Sequence, residues 1–256
     1  MPDLAAKHRI LAYDRRGHGH SEVPPQEAPY TAEVLAEDLR ALLDGVKIPR
    51  TDVFGYSGGA IPALAFALAY PKRVRRMILA EPPILGLRRN HPIDTGGLSG
   101  DGIARILEEC GVAAALENWF QRVLSPPKAS ALLRSRHRKL LLSRAPWISE
   151  GIIRSAEAFN PNASLVRVCQ PVLLIQGQNT HRHFSSVIDV LAVRLPHARR
   201  LVLPGREHVD LLKPSPRLLT SLQDFLHSES PTEQTPTLSL DRTAQRRRET
   251  RGQGLD

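Results

Sequence analysis

Nucleophilic attack on a carbonyl needs a hydroxyl or thiol that a base can reach, and a fixed donor for the negative charge that develops on the carbonyl oxygen. Gly55-Tyr56-Ser57-Gly58-Gly59 offers both in five residues. It follows an apolar run that reads as a strand and opens an apolar run that reads as a helix, the context required for a Gly-x-Ser-x-Gly nucleophile elbow. A strand that turns this sharply into a helix holds the serine in strained backbone, and side chains flanking the turn are expected to clash, hence glycine at positions 55 and 59. The Ser57 hydroxyl then stands at the carboxyl end of a sheet, where the Gly58 amide and the helix N-terminus stabilise an oxyanion. The bland alternative is a tight glycine turn with an idle serine. The strand before it and the helix after it favour the elbow.

A second segment makes the pattern specific. Tyr13-Asp14-Arg15-Arg16-Gly17-His18-Gly19-His20-Ser21 follows an apolar run and precedes a helix. It closely resembles the Asp-x-Arg-Gly-x-Gly-x-Ser turn upstream of the nucleophile in α/β-hydrolases. The resemblance runs from about Leu4 to Leu226 and takes in Leu201-Val202-Leu203-Pro204-Gly205-Arg206-Glu207-His208. In that family this last loop presents the catalytic histidine, so the resemblance implies His208 as base. The family often places its acid a few residues past a glycine after the penultimate strand, but here that stretch is Gly177-Gln178-Asn179-Thr180, without a carboxylate. Members similar to haloalkane dehalogenases supply the acid after the strand that follows the nucleophile helix. Here that strand ends Ile78-Leu79-Ala80-Glu81, which implies Glu81. A triad needs only a carboxylate that accepts from the second ring N–H of the histidine, and Ser57, Glu81, His208 keeps the family's chain order. The alternative for Glu81 is a buried hydrogen bond to loop backbone.

The elements that must position these residues read as α/β. Short runs rich in Val, Ile and Leu predict strands at Arg9–Tyr13, Thr51–Gly55, Val74–Ala80, Val172–Gln176 and Arg199–Leu203, each apolar enough to be covered on both faces. Between them Thr31–Leu43 has helical spacing, with Thr31 as N-cap and Gly45 as stop, and Gly58–Ala69, Ser185–Leu195 and Pro216–Phe225 also read as helices. From Gly86 to about Pro161 the alternation is lost and helices broken by Pro92, Gly96-Gly97, Pro126-Pro127 and Pro146 are expected. The resulting organisation is a first part of the core at 1–85, a helical cap insertion at 86–161, a second part of the core at 162–227 and a disordered tail at 228–256. The fold class is a mostly parallel, doubly wound α/β-hydrolase sheet with a helical cap, lacking the family's first strands. In the family, two or three strands precede the Asp-Arg-Arg-Gly turn, and the loop after the third donates a second oxyanion N–H. Their omission is expected to leave a long apolar edge beside the nucleophile strand, and an internal start in a longer protein is the favoured explanation.

Composition bounds the rest. A chain of 256 residues is long enough for one domain with an insertion. Cys110 and Cys169 are isolated, so no disulfide framework or thiolate metal site is indicated, and a reducing cytoplasm is the expectation. No apolar run approaches the roughly 20 residues of a membrane span. His18/His20 and His181/His183 have spacings seen in metal sites, yet neither pair has a third ligand at a zinc-like interval, so no metal and no cofactor are expected. The net charge of +9 admits an anionic partner, and the insertion carries Lys128, Arg134, Arg136, Arg138, Lys139 and Arg144 among leucines. A solvated helix face explains them as well as a lipid or acyl-carrier surface does. Arg246–Arg248 lies among acidic residues, and no nucleic-acid-binding motif accompanies it, so no specific nucleic acid is expected. Self-association into a homo-oligomer is left open.

The function expected is hydrolysis of a small ester, thioester or related acyl compound through Ser57, His208 and Glu81, with Gly58 as oxyanion donor. Two rivals stay open. One is a catalytically impaired binding or interaction protein on the same scaffold. The other is an acyltransferase or cofactor-free peroxidase that uses the same triad, since fold does not fix reaction.

Overall fold

The computed structural model describes residues 2–25, 28–93, 100–135 and 154–228. Gly96-Gly97, Arg136, Arg138, Lys139, Arg144, Pro146, Arg246–Arg248 and the tail beyond residue 228 lie outside the described residues.

Four strands, β1 (Thr51–Tyr56), β2 (Val74–Ala80), β3 (Val172–Gly177) and β4 (Ala198–Leu203), form one sheet in the order β1-β2-β3-β4. All three pairings are parallel. The inner strands β2 and β3 are apolar runs buried on both faces, whereas β4 carries the exposed Arg199 and Arg200 near its start and β1 exposes Phe54, so the expectation of cover on both faces holds for the inner pair alone. On one face Met77, Leu79 and Leu174 pack with α2 (Ala32–Gly45), α3 (Ala60–Ala69) and α7 (Arg182–Arg194). On the other, Ile78, Leu173, Ile175 and Leu201 pack against Leu218, Leu222 and Phe225 of α8 (Pro216–His227). The architecture is therefore doubly wound. Leu79 and Leu174 have no exposed surface, and truncating either to Ala should cost about 2–5 kcal/mol.

Local chemistry places the helices. Thr31 caps α2, its hydroxyl accepting from the Val34 amide at 3.3 Å, and Leu35, Ala36, Leu39 and Leu43 are buried on one face. The helix includes Gly45 as its last residue, and Lys47 takes the left-handed conformation beyond it at φ 56°. Helix α3 is buried on nearly every side, Ala60 through Ala67, as its uniformly apolar sequence requires. Helix α7 starts at Arg182, three residues before the start predicted from its pattern. Before the sheet stands α1 (Pro2–Ala5). Between β2 and β3 lie α4 (Gly100–Val123), broken at Gly111 (φ 81°), α5 (Pro126–Leu133) and α6 (Arg154–Ala158).

One predicted strand is corrected. Residues 9–13 form no strand, and Ile10, Leu11 and Tyr13 are exposed. A strand exists only through a hydrogen-bonded neighbour, and among the described residues β1 pairs with β2 alone, so the other side of β1 is a sheet edge. Phe54 on β1 is accordingly exposed, although its neighbours Val53 and Gly55 are buried.

Register brings the chemistry together. Tyr56 pairs with Ala80, Ala80 with Ile175, and Gly177 with Leu203, so the strands end side by side at one margin of the sheet. Ser57 and Glu81 are the next residues after β1 and β2, and His208 follows β4 by a short loop. Ligand sites of open parallel sheets lie at this carboxyl margin.

Candidate active site

Ser57 occupies the turn between β1 and α3 with φ 52°, in the left-handed region that a side chain normally avoids. A Cβ at Gly55 would stand 2.6 Å from the Ala60 Cα and 2.7 Å from the Gly59 carbonyl oxygen, so glycine is required there for the strand to pass this close to the helix. The expectation of a clash at Gly59 is corrected, because a Cβ there would meet nothing within 4 Å. The 3-10 turn Ser57–Gly59 leads directly into α3, and Gly58 is buried in it. Asp14 knits the preceding turn, accepting from the His20 amide at 2.9 Å and, through its carbonyl, from the Ser21 hydroxyl at 2.5 Å. Arg16 forks onto Asp38 of α2 with two 2.6 Å contacts, and Arg15 reaches the Gly58 carbonyl at 3.3 Å. The turn recognised in the sequence thus braces the elbow from outside.

His208 is buried, and its Nε2 lies 2.9 Å from the Ser57 Oγ. Its Nδ1 is hydrogen-bonded to Glu81 Oε2. Glu81 has no exposed surface, and its Oε1 accepts from the Gly177 amide at 2.8 Å. Its own backbone is left-handed, φ 44°. A hydroxyl, an imidazole and a carboxylate in this order form the relay in which the imidazole accepts the hydroxyl proton and the carboxylate steadies the imidazolium. Ser57, His208 and Glu81, selected from the sequence, are brought together, with Gly58 adjoining them.

Tyr56 reads from the sequence only as part of the elbow, and Phe184 and Gly177 are not selected there as site residues. Tyr56 donates its hydroxyl to the His208 carbonyl at 2.7 Å, and burial, reinforced by the charges of Glu81 and Asp210, pushes its phenol well above the usual value. Phe184 of α7 stacks on the His208 ring, centroids 4.1 Å apart and planes within 12°. Gly177 ends β3 where a Cβ would stand 2.3 Å from the Arg206 carbonyl oxygen, so only glycine lets the histidine loop approach. A tyrosine inside the elbow motif and a glycine at a strand end were visible signals. Phe184 had none, since it reads as one more apolar helix position.

Above Ser57 and His208 lies a cavity of about 220 Å³. Its walls include Leu85, Trp119, Phe120, Val123, Leu124 and Leu132, with Phe184 and Val209 from the core. Among the described residues that line it, the polar members are Tyr56, Ser57, Trp119, His183 and His208, and none is a carboxylate, lysine or arginine. His181 and His183 contact each other ring to ring at 5.7 Å, and His18 Nδ1 lies 3.0 Å from the Arg16 carbonyl oxygen. Among the described residues no group of three or more His, Cys, Asp or Glu could hold a metal ion, and no helix is long and apolar enough to cross a membrane.

The family model of the α/β hydrolase fold matches residues 1–140. The chain belongs to the α/β-hydrolase fold family. Among relatives of this α/β-hydrolase is the 2-hydroxymuconate semialdehyde hydrolase of Pseudomonas sp. (strain CF600), 40% identical over 79 residues that make up 31% of this chain and 28% of that enzyme. A putative 2-succinyl-6-hydroxy-2,4-cyclohexadiene-1-carboxylate synthase of Bacillus subtilis is 29% identical over 234 residues, 89% of this chain and 84% of that one. The crystal structure of the enol-lactonase from Burkholderia xenovorans LB400 superposes with a TM-score of 0.68 at 25% identity, covering 89% of this chain and 85% of its own.

Proposed function

We propose that this α/β-hydrolase cleaves small, uncharged acyl compounds, esters or lactones foremost, without a cofactor. The observation that carries the reading is the contact of His208 with Ser57 on one side and Glu81 on the other. Ser57 Oγ attacks the carbonyl carbon while His208 Nε2 takes its proton. The Gly58 amide donates to the oxyanion, and the imidazolium is steadied by Glu81. His208 returns the proton to the leaving group, and water then resolves the acyl-enzyme through the same imidazole. The elements between residues 86 and 161 act as a cap over the core of 1–85 and 162–227, and their aromatic and aliphatic side chains choose the acyl group.

The cavity supports a small substrate, since about 220 Å³ falls below the roughly 300–1,000 Å³ of sites that enclose drug-sized ligands. Among the described residues its lining carries no charged side chain, which disfavours an anionic acyl chain, because a buried carboxylate without a cationic partner is costly. The enol-lactonase among its similar structures acts, by its name, on a lactone. The test is turnover of p-nitrophenyl esters from acetate to decanoate. Short acyl chains should be preferred, kcat/KM falling from about hexanoate upward, and His208→Ala should abolish turnover. A protein that hydrolyses none of these esters, nor simple lactones, contradicts the proposal.

A further inference from the structure

Lys128 projects from α5, a helix of the segment proposed as a cap, toward the loop that carries His208. Its Nζ lies 3.1 Å from Glu207 Oε2 and also contacts Asp210 Oδ2, so it grips one carboxylate on each side of the histidine. Lys213 contacts the other Asp210 oxygen at 2.5 Å, Arg206 donates to the Asp210 carbonyl at 3.0 Å, and the Ser125 hydroxyl bonds Glu207. Positions 128 and 132 are spaced four apart and share one side of α5. Leu132 of α5 lines the cavity, as do Leu124 just before the helix and Val209 beside the histidine. The three ion-paired side chains are each only about 16–32% exposed, so water does not fully screen them.

We propose that Lys128 is a positioning residue that fastens α5 to the histidine loop and thereby holds His208 Nε2 at the Ser57 hydroxyl. The inference rests on the reading of His208 as base. His208 sits in a three-residue 3-10 turn, His208–Asp210, flanked by Glu207 on one side and the buried Leu211 on the other, and a turn this short has little rigidity of its own. Glu81 holds the imidazole and Tyr56 the backbone carbonyl of His208. Lys128 holds the turn from α5, so that helix and the base move as one unit.

The experiment compares wild type, Lys128→Met and Lys128→Arg in short-chain p-nitrophenyl ester hydrolysis between roughly 0.05 and 0.5 M salt. Loss of the two partly buried pairs should lower kcat by about twofold to thirtyfold in Lys128→Met. KM should change by less than about twofold, Lys128→Arg should restore kcat, and the salt dependence of wild-type kcat should vanish in Lys128→Met. A folded Lys128→Met protein with wild-type kcat and wild-type salt response overturns the inference, even if its melting temperature has dropped. If wild type hydrolyses no ester, the proposed function fails, and proton NMR of the downfield Nδ1–H in the His208–Glu81 pair decides this inference separately. A resonance sharp in wild type and Lys128→Arg but broadened in Lys128→Met supports it, and identical line widths overturn it.

Discussion

The Gly177 amide donates to Glu81 Oε1 at 2.8 Å, joining the carboxyl end of β3 to the residue that follows β2. In this way the strand after which the family often carries its acid supplies a backbone donor instead, and the carboxylate comes from the neighbouring strand. A carboxylate held by a backbone N–H on one oxygen presents the other in a fixed direction, here toward His208 Nδ1.

Replacing Glu81 by Gln should lower kcat by about 10³–10⁴-fold, since an amide cannot steady the imidazolium and can favour the wrong ring tautomer. Asp189→Asn should change kcat by less than about twofold, because Asp189 is an exposed residue of α7 that pairs with Arg200 at 2.7 Å. Steady-state kinetics of both variants provides the comparison. Equal losses would remove Glu81 from the reaction.

The strained elbow has a thermodynamic signature. Ser57 at φ 52° should make Ser57→Gly more stable than Ser57→Ala by about 1 kcal/mol, because a left-handed residue with a Cβ costs roughly 1–2 kcal/mol. Urea unfolding of the two inactive variants measures the difference, and equal stabilities would mean that the turn is relaxed.

Most of the fold was legible because buried strands announce themselves as apolar runs, and four of them stand within a residue or so of their predicted bounds. Residues 9–13 misled for the same reason. Ile10, Leu11 and Tyr13 have strand-like composition, but pairing is a property of the neighbour, and no composition reveals whether one is present. The site was legible in Ser57, because the elbow is local, and in Glu81 and His208 only through the family's order of elements. Phe184, Lys128 and Asp210 are contacts between segments distant in sequence, and nothing in their own surroundings marks them.

Among the described residues one side of β1 has no paired strand, and this should make the 256-residue chain self-associate at micromolar concentration, since an apolar sheet edge with unpaired backbone groups is a template for another strand. Phe54→Lys should shift sedimentation toward the monomer with little change in the circular dichroism of the folded protein. A monodisperse monomer before the substitution would show that the edge is protected.

Acid and alkali should weaken the Lys128 contacts in opposite ways. Hydrogen bonds from Lys128 and then Lys213 hold the Asp210 carboxyl below its ordinary value, and at Glu207 burial is outweighed by hydrogen bonds from Lys128 and Ser125. A carboxyl lowered on folding stabilises the protein above its unfolded pKa of about 4, and the contribution is lost as pH falls through the folded value. Lys128 is raised, chiefly by Asp210, so its contribution is complete below the unfolded value of about 10.4 and is lost as pH rises through the folded one. The stability difference between wild type and Lys128→Met should therefore be flat between about pH 5 and 9 and shrink at both ends. Urea midpoints across that range measure it, and a difference independent of pH would assign the effect to packing.

The reading of Ser57 as an activated nucleophile is tested most directly by intact-mass spectrometry after treatment with a fluorophosphonate, followed by peptide mapping. An ordinary serine hydroxyl does not react, whereas one with a base in hydrogen-bond reach does. The account predicts a single adduct on Ser57 in the wild-type protein and none in Ser57→Ala or His208→Ala. A folded wild-type protein that stays unlabelled, or an adduct that persists in Ser57→Ala, would contradict it.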